Sequence, residues 1–274
     1  MGYETVLLDA SSVQHRETIW DYTLRLAVQH GAYVTAIHQG APEIGHSGDP
    51  GQLDVYSERR ETELVHKFEA LARRYAGVQY EWRSDEGDRV ERVARHGLYA
   101  DLIVMGQFDP SDRGGLGTYE DPVEIALMSG RPVLVLPRSD RFAHIASRVI
   151  LAWNDSPQAA RMVSAALPFL VNATTVDVVI VKEDVTPGLD AKVQSADGHE
   201  IKSYLARHHV NASVTTVPAG VLEVSEVLLS MVADKAADLL CMGVYGHPKL
   251  RQVAVGQTSA ALMRRMMVPT FVVC

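Results

Sequence analysis

Apolar positions along the chain fall into short continuous runs, separated by stretches in which they recur with helical spacing. In the first half, Val6 to Asp9, Tyr33 to His38, Val78 to Trp82, Leu102 to Met105 and Val133 to Leu136 read as strands. Between them the spacing predicts a helix capped by Ser12 and running to about His30, with Ile19, Leu24, Leu26 and Ala27 on its apolar side. A long amphipathic helix follows from Ser57 to Tyr75, with Leu64, Phe68 and Leu71 on one face, then shorter ones over Asp88 to His96 and Pro122 to Ser129. The second half predicts strands at Val149 to Trp153, Thr175 to Val181, Ala212 to Val217, Leu239 to Met242 and Thr270 to Val273. Its helices are Gln158 to Leu170, Gly198 to His208, Glu223 to Lys235 and Ser259 to Met266. Strands that are apolar throughout, alternating with helices, imply parallel sheets covered on both faces. Two five-stranded units result, joined near Ser139 to Ser147.

The two units are copies. Asp101-Leu-Ile-Val-Met-Gly106 matches Asp238-Leu-Leu-Cys-Met-Gly243, and Pro132 matches Pro269, both at an offset of 137. The first strands match through Ser11 and Ser156 at an offset of 145, so the first copy carries extra loop, placed in the Gly- and Pro-containing stretch Gly40 to Gly51.

The chemistry concentrates after the strand Leu239 to Met242. Gly243, Gly246 and Gly256 stand in the following loop, and Thr258 and Ser259 open the next helix as hydroxyl caps. Glycine permits close backbone approach, and amide N–H groups at a helix start favour an anion, so these are the parts of a phosphate site. His247, Lys249 and Arg251 add charge suited to phosphate. In open parallel sheets ligands bind beyond the carboxyl ends of strands, where strand order reverses, and this loop lies at such an end.

The formal net charge of -8 and the absence of a basic stripe argue against nucleic acid as a partner. No apolar run approaches the roughly 20 residues of a membrane span, and no secretory signal is visible, so a cytoplasmic protein is expected. Two cysteines, Cys241 and Cys274, give no disulfide framework. His199, His208 and His209 lack the one-turn spacing of a helical metal pair and read as a solvated face. There is no GxxxxGK[ST] or GxSxG run, and without a placed base fast phosphoryl transfer is not expected.

With these residues on view, the chain resembles the universal stress protein family in its tandem form. The most specific likeness is the nucleotide signature of glycine, two residues, glycine, nine residues, glycine and a hydroxyl, met by Gly243, Gly246 and Gly256; Gln257 departs from it at the hydroxyl position, and Thr258 and Ser259 follow. The resemblance implies two tandem five-stranded parallel-sheet α/β sandwich domains, Rossmann-like and of the adenine nucleotide alpha hydrolase-like kind, over residues 1–140 and 146–274. It further implies an adenine nucleotide, ATP with magnesium, in the second domain. Asn154 would stand where ATP-binding members place an adenine-side aspartate, Val181 and Met242 would line the adenine pocket, and Ser259 would touch phosphate. In most α/β folds Val181 and Met242 would be core residues in any case, and Lys249 and Arg251 would serve equally as a surface pair. The first copy keeps Asp9 but has Asp109 for Gly246, Tyr119 for Gly256, and Glu120, Asp121 and Pro122 at the helix start, so its phosphate side is lost. The expected role is stress regulation through unknown protein partners, as an internal pseudo-dimer that is itself able to dimerise. Two other readings stay open: a scaffold without nucleotide, and a slow ATP hydrolase.

Overall fold

The structure is a computed structural model and describes residues 2–11, 15–39, 50–111, 117–138, 142, 144–182, 197–244 and 257–274. Ten strands form a single sheet: β1 (Thr5–Asp9), β2 (Tyr33–Gln39), β3 (Gln79–Asp85), β4 (Leu102–Gly106), β5 (Val133–Leu136), β6 (Arg148–Ala152), β7 (Thr175–Lys182), β8 (Ala212–Pro218), β9 (Leu239–Gly243) and β10 (Thr270–Val273). Their order is β3-β2-β1-β4-β5-β10-β9-β6-β7-β8. Each half is parallel throughout, as expected, and the halves mirror one another in order. The sequence did not announce the join. Antiparallel pairing of β5 with β10, Leu134 opposite Phe271, turns two five-stranded sheets into one.

Helices cover both faces, and this is why the strands are apolar at successive positions. On one face pack α1 (Arg16–His30), α2 (Pro50–Ala72), α5 (Pro157–Leu170) and α6 (His199–Arg207), meeting Val6, Leu8, Val149 and Leu151. On the other pack α3 (Arg89–Gly97), α4 (Asp121–Ser129), α7 (Val224–Asp234) and α8 (Gln257–Arg265), meeting Leu7, Ile103, Ile150 and Leu240. Both cores run through both halves. Tyr3 adds to the join, packing on Phe169 and donating to the Ala165 carbonyl at 2.9 Å.

Several boundaries differ from the expected ones. The described part of α1 begins at Arg16 after His15, which has φ 53; Ser12, the expected cap, lies outside the described residues. The α8 helix opens at Gln257, so Thr258 and Ser259 sit inside its first turn and are not caps. Strand pairing also revises the alignment of the copies. Val6 faces Leu102 as Val149 faces Leu239, an offset of 143 in the first strands. Asp9 pairs with Ile37 as Ala152 pairs with Val179, so Asp9 corresponds to Ala152 and not to Asn154. The offset is 142 in the second strands (Val34 to Val176) and 132 in the third (Tyr80 to Ala212), so the first copy's extra length lies between β2 and β3. That interval contains Gly40 to Gly51, though residues 40–49 themselves lie outside the described ones.

Candidate functional site

In each half the chain builds outward from its inner strand (β1-β2-β3, β6-β7-β8) and then returns to add strands on the other side. The reversals therefore lie between β1 and β4 and between β6 and β9, and a crevice is expected beyond the carboxyl ends of those pairs.

In the first half the crevice is filled. Asp9, at the end of β1, is fully buried. Arg89, the first residue of α3, holds it through Nη2 at 2.6 Å and Nε at 2.8 Å, and its Nη1 lies 3.3 Å from Asp121 at the start of α4. Asp121 also accepts from the Thr118 backbone N–H at 3.0 Å and hydroxyl at 2.7 Å. One turn further, buried Arg92 donates to the Ser11 hydroxyl at 3.1 Å and the Gly87 carbonyl at 3.3 Å. The loop before α4 lies directly on this group: a Cβ at Gly117 would be 2.7 Å from Arg89 Nη1 and 2.9 Å from Asp121 Oδ2. Desolvation, the largest single influence, pushes the Asp9 carboxyl up, but Arg89, Arg92 and the Ser11 contact together outweigh it and the net shift is downward. For Asp121 burial wins over Thr118 and Arg89, and its carboxyl is raised. Asp9 is thus the charged partner of Arg89, and Asp121 the secondary one.

The second half differs at each matching place. Strand register gives Ala152 for Asp9. Asp88 and Glu223 precede α3 and α7 as their caps, so Val224 stands for Arg89. The offset of 137 gives Thr258 for Asp121, and it aligns the buried residues Ile125 and Ala126 of α4 with Leu262 and Met263 of α8. No charged side chain occupies any of the three.

Met242 is buried and Val181 half-buried, and both pack on the same face of the sheet as Ala152, toward α7 and α8. Ser259 is buried and Thr258 half-buried in the first turn of α8. Asn154 is exposed beyond the end of β6, in a corner held by the Trp153 indole N–H donating to Asp155 Oδ1 at 2.8 Å. Asp155 has φ 54, and Ser156 then caps α5 by accepting from the Ala159 N–H at 3.1 Å. Gly243 has a packing role of its own. A Cβ there would lie 2.6 Å from Ala159 N and from the Gln158 carbonyl carbon, so the bare backbone lets the start of α5 cross the end of β9. Gly246, Lys249 and Gly256, with His247 and Arg251, lie outside the described residues, as does the side chain of Gln257.

Sequence reasoning missed Arg89, Arg92 and Gln158, whose Oε1 is buried without a hydrogen-bond partner. One signal was present for Arg89: a cation in the first turn of a helix opposes the helix dipole and needs a partner elsewhere. The histidines of α6 behave as a solvated face, with His199 and His209 exposed and His208 against Tyr204. A cavity of about 180 Å³ between β1, β2, β3 and α3, lined by Thr5, Tyr33, Glu81, Arg83 and His96, opens at the amino ends of β1 and β2 and is no part of either crevice. No helix among the described residues is long and apolar enough to cross a membrane.

A doubly wound sheet with one reversal in each half, helices on both faces and glycine at the carboxyl edge defines the Rossmann-like α/β class. The crystal structure of a universal stress protein from Archaeoglobus fulgidus DSM 4304 superposes with a TM-score of 0.76, covering 98% of this chain and 97% of that one at 17% identity. A functionally unknown protein from Pseudomonas aeruginosa PAO1 covers 99% of this chain and 92% of its own, with a TM-score of 0.59 and 13% identity. At these identities the likeness is one of fold. No curated protein matches the chain. Residues 146–273, the second half of the chain, match the model of the universal stress protein family.

Proposed function

We propose that the chain is a stress-response protein whose second half binds an adenine nucleotide, ATP with magnesium foremost, while the first half does not. In this reading it consists of two family domains, residues 1–140 and 146–274, and acts in the cytoplasm by regulation or by binding partner proteins. The observation that carries the proposal is the contrast at three matched positions. Asp9, Arg89 and Asp121 close one crevice with ion pairs, where the other has Ala152, Val224 and Thr258. A polyanion entering the second crevice meets no described carboxylate at those positions and approaches the amide-bearing first turn of α8. Val181 and Met242 supply an apolar wall for a base. Phosphates would reach Thr258, Ser259 and the glycine loop of Gly243, Gly246 and Gly256, with Lys249 beside it, and Gln257 or Asn154 would donate from an amide where relatives use other groups.

A scaffold that binds no nucleotide is the second reading, favoured by Ala152 standing where the register calls for the strand-end carboxylate. Calorimetric titration with ATP and magnesium decides between them. Saturable one-to-one binding that Gly246→Asp abolishes is expected. Absence of heat, together with no 260 nm excess in the freshly purified protein, sinks the nucleotide reading. Phosphate release rising with time and protein concentration would add slow hydrolysis.

A further inference from the structure

The residues that differ from a phosphate cradle in the first half have taken up other partners, and these lie across the join. Gln107 follows β4 where Val244 follows β9. Its buried side chain donates through Nε2 to the Met263 carbonyl at 2.7 Å and the Arg264 carbonyl at 3.3 Å, while its Oε1 accepts from Arg138 N at 3.2 Å. Met263 and Arg264 belong to the last turn of α8, whose carbonyls have no partner within the helix. Tyr119, at the place of Gly256, lies under the Arg264 guanidinium at 5.4 Å and is braced edge-on by Phe108. Glu120, at the place of Gln257, faces Arg264 at 3.9 Å. The altered loop of one half thus grips the helix whose opposite end presents Thr258 and Ser259 in the other.

We propose that this loop sets the nucleotide affinity of the second half by fixing α8, with Gln107 as the principal positioning residue. The inference rests on the nucleotide reading above. Of the three contacts, Gln107 dominates because it is buried and satisfies two helix-end carbonyls, whereas the Glu120–Arg264 pair is exposed and weak. Coupling carried by one helix is expected to be about five- to tenfold in affinity, at the low end of measured site-to-site couplings.

The test uses the full chain with Gln107→Leu and Gln107→Glu, read by ATP–magnesium titration and by hydrogen exchange of the α8 amides. The donor role predicts faster exchange in residues 257–265 and weaker binding in both variants, with the Glu variant worse because its carboxylate repels the carbonyls it replaces a donor to. If Gln107 only fills space, the near-isosteric Glu variant behaves as wild type, and that ranking overturns the proposal. Faster α8 exchange with unchanged affinity overturns the coupling, and unchanged exchange overturns the anchoring. If the wild-type chain binds no nucleotide, the functional reading and the coupling fail together, while α8 exchange still decides whether Gln107 holds the helix.

Discussion

Arg89→Val leaves Asp9 buried with its main countercharge gone. At 2.6 Å and an effective dielectric near 20, the Asp9–Arg89 attraction is about 6 kcal/mol before desolvation is subtracted. Breaking one side of a buried pair costs about 3–5 kcal/mol, because the remaining charge stays buried. Arg92 remains close enough to lower the Asp9 carboxyl, so the lower end of that range is expected. In a chain of this size each kcal/mol moves the midpoint by about 2–4 °C, so the variant should melt on the order of 10 °C below wild type. Asp9→Ala and Asp121→Thr added to Arg89→Val copy the second half's Ala152, Val224 and Thr258. The triple variant carries no stranded carboxylate but leaves buried Arg92 with only Asp85 and Asp88 as countercharges, so it should regain part of the loss. The sign with pH is fixed by Asp9, whose folded pKa is depressed. Its contribution is present above the unfolded value near 3.9 and is lost as pH falls through the lower folded value. In Arg89→Val that depression is weakened, so the gap from wild type should narrow as pH falls below about 4. Chemical denaturation of the three proteins at pH 7 and at about pH 3 reads all of this. A single variant within about 1 kcal/mol of wild type at pH 7, or a triple variant less stable than the single, would refute the ion-pair account.

Further outcomes follow from separate sites. Gly243→Ala forces a Cβ against Ala159 N and the Gln158 carbonyl carbon at 2.6 Å, and should destabilise by about 1–3 kcal/mol in urea melts. His38, stacked on Trp82, has its pKa pushed down to about 4, first by burial and then by Arg16. Its folded value lies below the unfolded 6.5, so stability should fall as pH drops from about 6.5 to about 4, and His38→Phe should flatten that part of the profile. Burial pushes the Cys241 thiol up strongly and Cys274 up to about 12, so neither should react with Ellman's reagent at pH 8 until denaturant releases both.

The fold was legible because its signal is local. Continuous apolar strands and their alternation with helices follow from burial on both faces, and the repeat of Asp-Leu-(Ile/Leu)-(Val/Cys)-Met-Gly marked β4 and β9 as equivalent strands. The invariant start of that repeat has a structural reason, since Asp101 accepts from the N–H groups of Glu4 and Thr5, and Asp238 from those of Ser147 and Arg148. What could not be read was anything joining distant residues. Asp9 and Arg89 are 80 positions apart and Gln107 and Met263 are 156, and no spacing rule links them. The alignment through Ser11 and Ser156 failed by two residues because it followed similar residues past the strand end, where hydrogen-bond register no longer constrains the chain. Gly243 shows a related limit: its close neighbour is the protein's own helix, and a ligand-site glycine and a packing glycine look alike in sequence.

The first crevice contains two arginines, which on charge alone would recommend it for phosphate. The balance is against it. Asp9 and Asp121 match Arg89 and Arg92 one for one, so the group is formally neutral, and Arg89 already has both carboxylates within 3.3 Å. A phosphate would have to displace carboxylates already bonded to buried guanidinium, exchanging one anion for another with no gain in countercharge. It would also have to shift the loop at Gly117, whose backbone lies against the pair. Photo-cross-linking with an azido-adenine nucleotide should therefore modify only peptides from residues 146–274, competed away by ATP. Labelling of peptides from residues 1–140 that ATP suppresses at equal concentration would show that the ion pairs open to ligand, and the asymmetry between the halves would no longer explain which of them binds.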